Sequence, residues 1–119
     1  MEEFEVIFYD HPNGSEPAKE FILSLDNKMK AKMLRTIKLL QINGYELREP
    51  YSKHLDEGIF ELRAKVGNDI SRVLYFFIVG RKIILTNGFV KKTQKTPPNE
   101  IDKAKKYRIE YLSREENAL

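Results

Sequence analysis

Between Ile59 and Val66 apolar and charged residues alternate: Phe60, Leu62, Ala64 and Val66 against Glu61, Arg63 and Lys65. A period of two sends these sets to opposite faces of a strand, one toward a core and one charged. Residues 73–79 are instead seven apolar residues in a row, which predicts that 71–79 is a central strand covered on both faces. Gly67, Asn68 and Asp69 turn the chain between the two. Gly80 and Arg81 fit a two-residue hairpin into a further strand over 82–90, so three consecutive antiparallel strands are expected. Residues 3–9 also alternate before the turn residues Asp10, His11, Pro12, Asn13 and Gly14, so the chain opens on a strand.

Elsewhere the period lengthens. Ser15, a capping hydroxyl, and Pro17, a first-turn proline, predict a short helix to about Leu25. Met29, Met33, Ile37 and Leu40 then recur at helical spacing, which predicts a longer helix capped by Asp26 or Asn27 and ended by Asn43 and Gly44. The two helices should run antiparallel. Residues 45–53 read as a polar connection. Thr96, Pro97 and Pro98 start a last helix whose apolar stripe is Ile101, Ala104, Tyr107 and Tyr111. These elements give an α+β fold: an antiparallel, twisted sheet of four to five strands, mixed at one edge, with two N-terminal helices on one face and a C-terminal helix elsewhere.

Composition narrows the chemistry. A chain of 119 residues, 41% hydrophobic and 33% charged, fits one folded domain over 1–119. Without cysteine, and with only His11 and His54, it has no thiolate site and no convincing zinc site, so neither metal nor cofactor is expected. The acidic start and the lack of an apolar run of about twenty residues point to a cytoplasmic protein that makes no membrane contact. The net charge of +3 hides a strong asymmetry: residues 1–25 carry −5 and residues 61–96 carry +6. An anionic polymer is the natural partner for such a basic middle, and a solvated lysine face is the plainer alternative.

No Walker loop, dinucleotide fingerprint, helical zinc motif or serine elbow is present. What remains is a group of cations and one carboxylate on adjoining strands. Glu61, Arg63 and Lys65 share a strand face, Arg72 begins the next strand, and Lys91, Lys92 and Lys95 follow the third. Hairpin geometry lets Arg63, Arg72 and Lys91 converge. Each has a plainer reading, with Arg72 paired to Asp69 or Glu61, Glu61 a surface cross-strand partner, His54 a loop histidine, and Phe89 and Tyr75 core residues rather than base-stacking platforms.

The sequence resembles the RelE/ParE toxin superfamily, in particular its HigB-like, phage Gp49-related branch. The likeness is carried by Lys53-His54-Leu55, Gly58-Ile59-Phe60-Glu61-Leu62-Arg63, Ser71-Arg72-Val73-Leu74-Tyr75, and the run from Gly88-Phe89-Val90-Lys91-Lys92 through Thr96-Pro97 to Glu100, Ile101 and Ala104. It spans roughly residues 4–112. The resemblance implies a RelE-like microbial ribonuclease fold and the toxin of a type II toxin-antitoxin pair, cleaving messenger RNA on the ribosome by attack of a ribose 2′-hydroxyl. It gives Arg72 the phosphate-stabilising role and Arg63 and Lys91 or Lys92 the other basic positions. Glu61, His54 and a lysine remain open as acid and base, and Lys65, Lys95 and Phe89 are candidate RNA contacts. It also implies a HigA-like antitoxin with a helix-turn-helix DNA-binding domain, through which alone the pair would reach operator DNA. Two alternatives stay open: a ParE-like toxin that poisons gyrase without cutting RNA, and a non-catalytic RNA-binding module.

Overall fold

The structure, a computed structural model, describes residues 2–91 and 95–117, with Lys91 and Asn117 described by backbone alone. Strands Glu5–Phe8 (β1), Ser52–Asp56 (β2), Ile59–Val66 (β3), Asp69–Ile78 (β4) and Lys82–Lys91 (β5) form one sheet in the order β1-β5-β4-β3-β2. All neighbours are antiparallel except β1 and β5, which run parallel and make one edge mixed, as expected. Helices Pro17–Ser24 (α1) and Asn27–Asn43 (α2) cover one face, α1 chiefly over β5 and α2 over β3. The helix Pro98–Asn117 (α3) lies on the other face.

Each face has its own core. On the α1/α2 side Leu62, Ala64, Val73, Tyr75, Ile83 and Leu85 meet Ile22 and the stripe Met29, Met33, Ile37 and Leu40. On the α3 side Ile59, Leu74, Phe76 and Ile84 meet Tyr9, Ala104 and Tyr111. The run from Val73 is therefore apolar because β4 is central and covered twice. Asp26 caps α2 by accepting from the Met29 amide at 2.9 Å.

Three local expectations need correction, and one irregularity is new. Ser15 does not cap α1; the N-cap is Glu16, whose own amide is held by the Glu20 carboxylate at 2.8 Å. Residues 45–53 are not wholly a connection, because Ser52 begins β2. Tight two-residue turns fall at Glu57-Gly58 and Gly67-Asn68, whereas Val79, Gly80 and Arg81 form a three-residue loop. Glu57 and Gly58 both have positive φ, the geometry that matches strand twist in a hairpin. Finally, Thr86 is an extra residue in β5: Leu74 pairs with Asn87 and Tyr75 with Leu85, and the Thr86 hydroxyl donates to the Leu74 carbonyl at 3.1 Å. That bulge resets the alternation, so Asn87 and Phe89 point to the same side as Ile84.

Two polar groups on the α1/α2 side give testable energetics. The Ser71 hydroxyl is fully buried without a hydrogen-bond partner. Such a group costs desolvation and returns nothing, so Ser71→Ala should leave stability unchanged or raise it by up to about 1 kcal/mol in urea melts. Tyr75 is buried against Phe60, with its hydroxyl 2.5 Å from that of Ser52. Burial pushes its phenol up to about 12 from 10.0, and the Ser52 bond offsets part of this. Tyr75 therefore stabilises the fold fully below the unfolded value near 10, and that contribution is lost as pH rises toward 12, by up to about 1.4 kcal/mol per pH unit. Tyr9, raised to about 12 by burial and by Glu110, acts with the same sign. Denaturant melts from pH 9 to 11.5 should show this alkaline loss, and Tyr75→Phe should make it shallower, leaving the share due to Tyr9.

Candidate functional site

The charged face of β3 lies on the α3 side of the sheet, beside Thr96, which precedes the helix. Glu61 is fully buried there. Its two oxygens accept from Arg72 NH1 at 3.1 and 3.2 Å, from Arg63 Nε at 2.7 Å, and from the Thr96 hydroxyl just ahead of α3. Thr96 Oγ1 also lies 3.5 Å from Arg72 NH1. Arg63 and Arg72 are direct cross-strand partners, which puts like charges side by side and is unfavourable alone. The carboxylate between them converts that repulsion into a braced pair.

The two arginines differ in reach. Arg72, opposite Phe89, is 2% exposed, whereas the Arg63 side chain is 22% exposed. Among the described residues the Arg63 side chain bonds only to Glu61, through Nε, and its two terminal nitrogens make no bond there. Arg72 and Glu61 are the buried frame, and Arg63 is the group they present. Around it Lys53 pairs with Glu61 across β2 and β3 and so shares its face, Lys65 follows two residues after Arg63, and Lys95 precedes Thr96; all three lysines are exposed.

A second polar link fixes the start of α3. Asn87, re-aimed by the Thr86 bulge, donates Nδ2 to the Glu100 carboxylate at 3.0 Å and to the Glu100 carbonyl at 3.3 Å. Lys103 lies 3.6 Å from the same carboxylate. Farther along, Lys105 pairs with Asp56 at 2.5 Å and Arg108 donates to the Glu57 carbonyl at 2.6 Å, which clamps α3 on the β2–β3 hairpin. The Lys105 bond holds the Asp56 carboxyl below its usual range and raises the lysine.

Several sequence-derived candidates fall elsewhere. His54 pairs with Phe60 and packs edge-on against its ring at 5.0 Å, which puts it on the α1/α2 side, away from Glu61. Its Nε2 accepts from the Gly58 amide at 3.1 Å, so it supports the hairpin turn. Tyr75 is a core residue on that same side. Phe89 is on the site's side but packs partly into the α3 core. Lys91 pairs with Ile70 at the end of β5; its side chain, and all of Lys92, lie outside the described residues. Gly88, part of the motif with Phe89, serves packing: a Cβ there would collide with the Phe21 ring of α1. Sequence reasoning missed Thr96 as a ligand of Glu61, the Asn87–Glu100 link and Lys53 as a neighbour of Glu61. For the first, the Thr96-Pro97 pair before α3 is the available signal, although by itself it indicates only a helix start.

Among the described residues no three histidine, aspartate or glutamate side chains gather as a metal site, and no helix is long and apolar enough to cross a membrane. The fold and the braced arginines define a small α+β domain with N-terminal helices on one sheet face and a basic surface built on the other. The family described as phage derived protein Gp49-like (DUF891) matches residues 20–108, and the chain belongs to that family. The match takes in β2 to β5 and the first half of α3, and so every residue of the Glu61 cluster. No curated protein matches the chain.

Proposed function

We propose that this protein is a HigB-like toxin of the RelE/ParE superfamily, a cytoplasmic, ribosome-dependent messenger RNA endonuclease held in check by a HigA-like helix-turn-helix antitoxin. The observation that carries the reading is the Glu61 brace, which spends a buried carboxylate and a buried arginine to hold Arg63 at the edge of a lysine-rich face. A guanidinium with two nitrogens to spare suits the non-bridging oxygens of a phosphodiester. In the reaction the ribose 2′-hydroxyl attacks the adjacent phosphorus, the 5′-oxygen leaves, and a 2′,3′-cyclic phosphate forms. Arg63 stabilises the charge that develops on phosphorus-bound oxygens, and Lys53, Lys65, Lys91, Lys92 and Lys95 hold the flanking backbone.

Arg72 becomes a positioning residue in this scheme, since its side chain is covered. Glu61 loses the role of base, because both its oxygens are occupied. His54, on the far face, has no part in the chemistry. A site without a histidine or free carboxylate depends on an imposed in-line geometry, which is what decoding on the ribosome supplies. The burial of Arg72 favours one other reading, the ParE-like toxin, in which the braced pair is purely structural.

Inducing the chain in cells and mapping 5′ ends on a translated message and on the same message lacking its start codon separates the two. The nuclease cuts only the translated copy, and Arg63→Ala spares both. Intact messages together with gyrase trapped on DNA would establish the alternative.

A further inference from the structure

The backbone of Tyr51 is held on both sides. Its amide and that of Ser52 donate to the Arg48 carbonyl at 3.0 and 3.1 Å, and its own carbonyl accepts from the Arg63 amide at 2.8 Å. That last bond carries the Ser52–Leu62 and Lys53–Glu61 register one residue further and sets Tyr51 opposite Arg63. Ser52 points to the α1/α2 side, where its hydroxyl meets that of Tyr75, so by alternation Tyr51 and Lys53 face the α3 side with Glu61 and Arg63. Across the sheet the row then reads Tyr51, Arg63, Arg72 and Phe89.

The ring of Tyr51, in contrast, is unused. Two tyrosines are exposed among the described residues, Tyr45 at 58% and Tyr51 at 41%. Tyr45 packs against Phe77 at 4.4 Å and edge-on against Phe4 at 5.0 Å. Tyr51 makes no ring contact and no side-chain hydrogen bond among the described residues. Phe89, at the far end of the row, packs partly into the α3 core, which leaves Tyr51 as the open aromatic of the site. A lone exposed tyrosine needs no explanation, but this one sits directly beside the braced Arg63 and between it and the exposed Lys53 side of the face.

We infer that Tyr51 is a base-stacking platform, whose ring takes one of the two nucleobases joined by the phosphate at Arg63. The inference rests on the proposed function, which puts that phosphate there. Opposed residues on paired strands are about 5.5 Å apart, a step comparable with that from a phosphate to its own base. The RNA must be single-stranded at this point, because a base inside a helix has no free face to offer. Purines, with the larger π-face, are favoured over pyrimidines in this position. Tyr51 is thus a specificity residue: its removal flattens the choice of cutting site and leaves the cations around the reacting phosphate in place.

The chain has no tryptophan, so Tyr51→Trp puts a single reporter at the platform. Emission of the full-length variant is titrated at 50 mM KCl with 2′-O-methyl hexaadenylate, which lacks the attacking hydroxyl, and with an abasic hexamer of the same charge. Hexaadenylate should quench the emission at least twofold, and the abasic hexamer should leave it unchanged. Arg63→Ala in the same background should raise the half-quenching concentration about tenfold. By fluorescence anisotropy Tyr51→Ala should bind labelled hexaadenylate about tenfold more weakly than the parent, with the same slope of log K against log salt because no charge is lost. Tyr51→Phe should bind as the parent does. The inference is overturned if hexaadenylate leaves the emission unchanged, if the abasic hexamer quenches equally, or if Arg63→Ala does not shift the titration. It is equally overturned if Tyr51→Ala binds as the parent does, or if Tyr51→Phe loses as much as Tyr51→Ala. A protein that stacks the base but cuts no translated message overturns the nuclease reading and leaves this one standing; one that cuts without quenching does the reverse.

Discussion

Glu61→Ala is expected to destabilise the fold by about 3–5 kcal/mol, enough to lower the melting temperature by roughly 10–20 °C. The size follows from burial. Glu61 is 0% exposed and Arg72 2%, so deleting the carboxylate leaves a covered guanidinium facing a second guanidinium on the adjacent strand, with the Thr96 hydroxyl released as well. A surface cross-strand pair, which the sequence alone suggests, would cost no more than about 1 kcal/mol. Glu61→Leu with Arg72→Met removes both charges and fills the space, and should recover most of the loss. Calorimetry on the two single variants and the double closes a cycle. A loss under 1 kcal/mol for Glu61→Ala would show that the brace contributes little.

The second large effect is functional. For the proposed nuclease, Arg63→Ala should reduce cleavage of translated messages by about 10²–10³-fold while changing the melting temperature by only a few degrees, because Arg63 is the partly exposed member of the trio and the proposal gives its terminal nitrogens the contact with the phosphate. Arg63→Lys keeps the charge but not the two-pronged geometry, and should restore only a small part of the activity. Arg72→Lys acts differently: it disturbs the frame, so its loss of activity should track its loss of stability. Comparing melting temperature and cutting rate across the three variants assigns presentation to Arg72 and contact to Arg63.

Much of this arrangement can be read from the chain. The alternation in β3 gives a strand with its charged face, the apolar run gives a doubly covered β4, and the spacing of Met29, Met33, Ile37 and Leu40 gives the buried side of α2. What escapes has physical reasons. Ser52-Lys53-His54-Leu55-Asp56 has polar residues on both sides and Leu55 as its one apolar member, because β2 is an edge strand with little to bury, so its period does not separate it from a loop. Thr86 looks like any strand residue, yet its bulge decides which way Asn87 and Phe89 face. Glu61 sits in a pattern indistinguishable from a solvated face; only the return of the chain through Thr96 to α3 buries it. Arg63 and Arg72 are rightly brought together by strand pairing, but the pattern gives no hint that one of them is covered.

The proposed function places Arg63 at an RNA-cutting surface. The most direct measurement adds the purified protein, or its Arg63→Ala variant, to a reconstituted translation reaction with a single labelled message, and scores the new ends chemically. The expected fragments carry 5′-hydroxyl and 2′,3′-cyclic phosphate ends, require translating ribosomes and vanish with Arg63→Ala. Fragments of the same kind and amount from the variant, or an uncut message with the parent protein, would contradict that function.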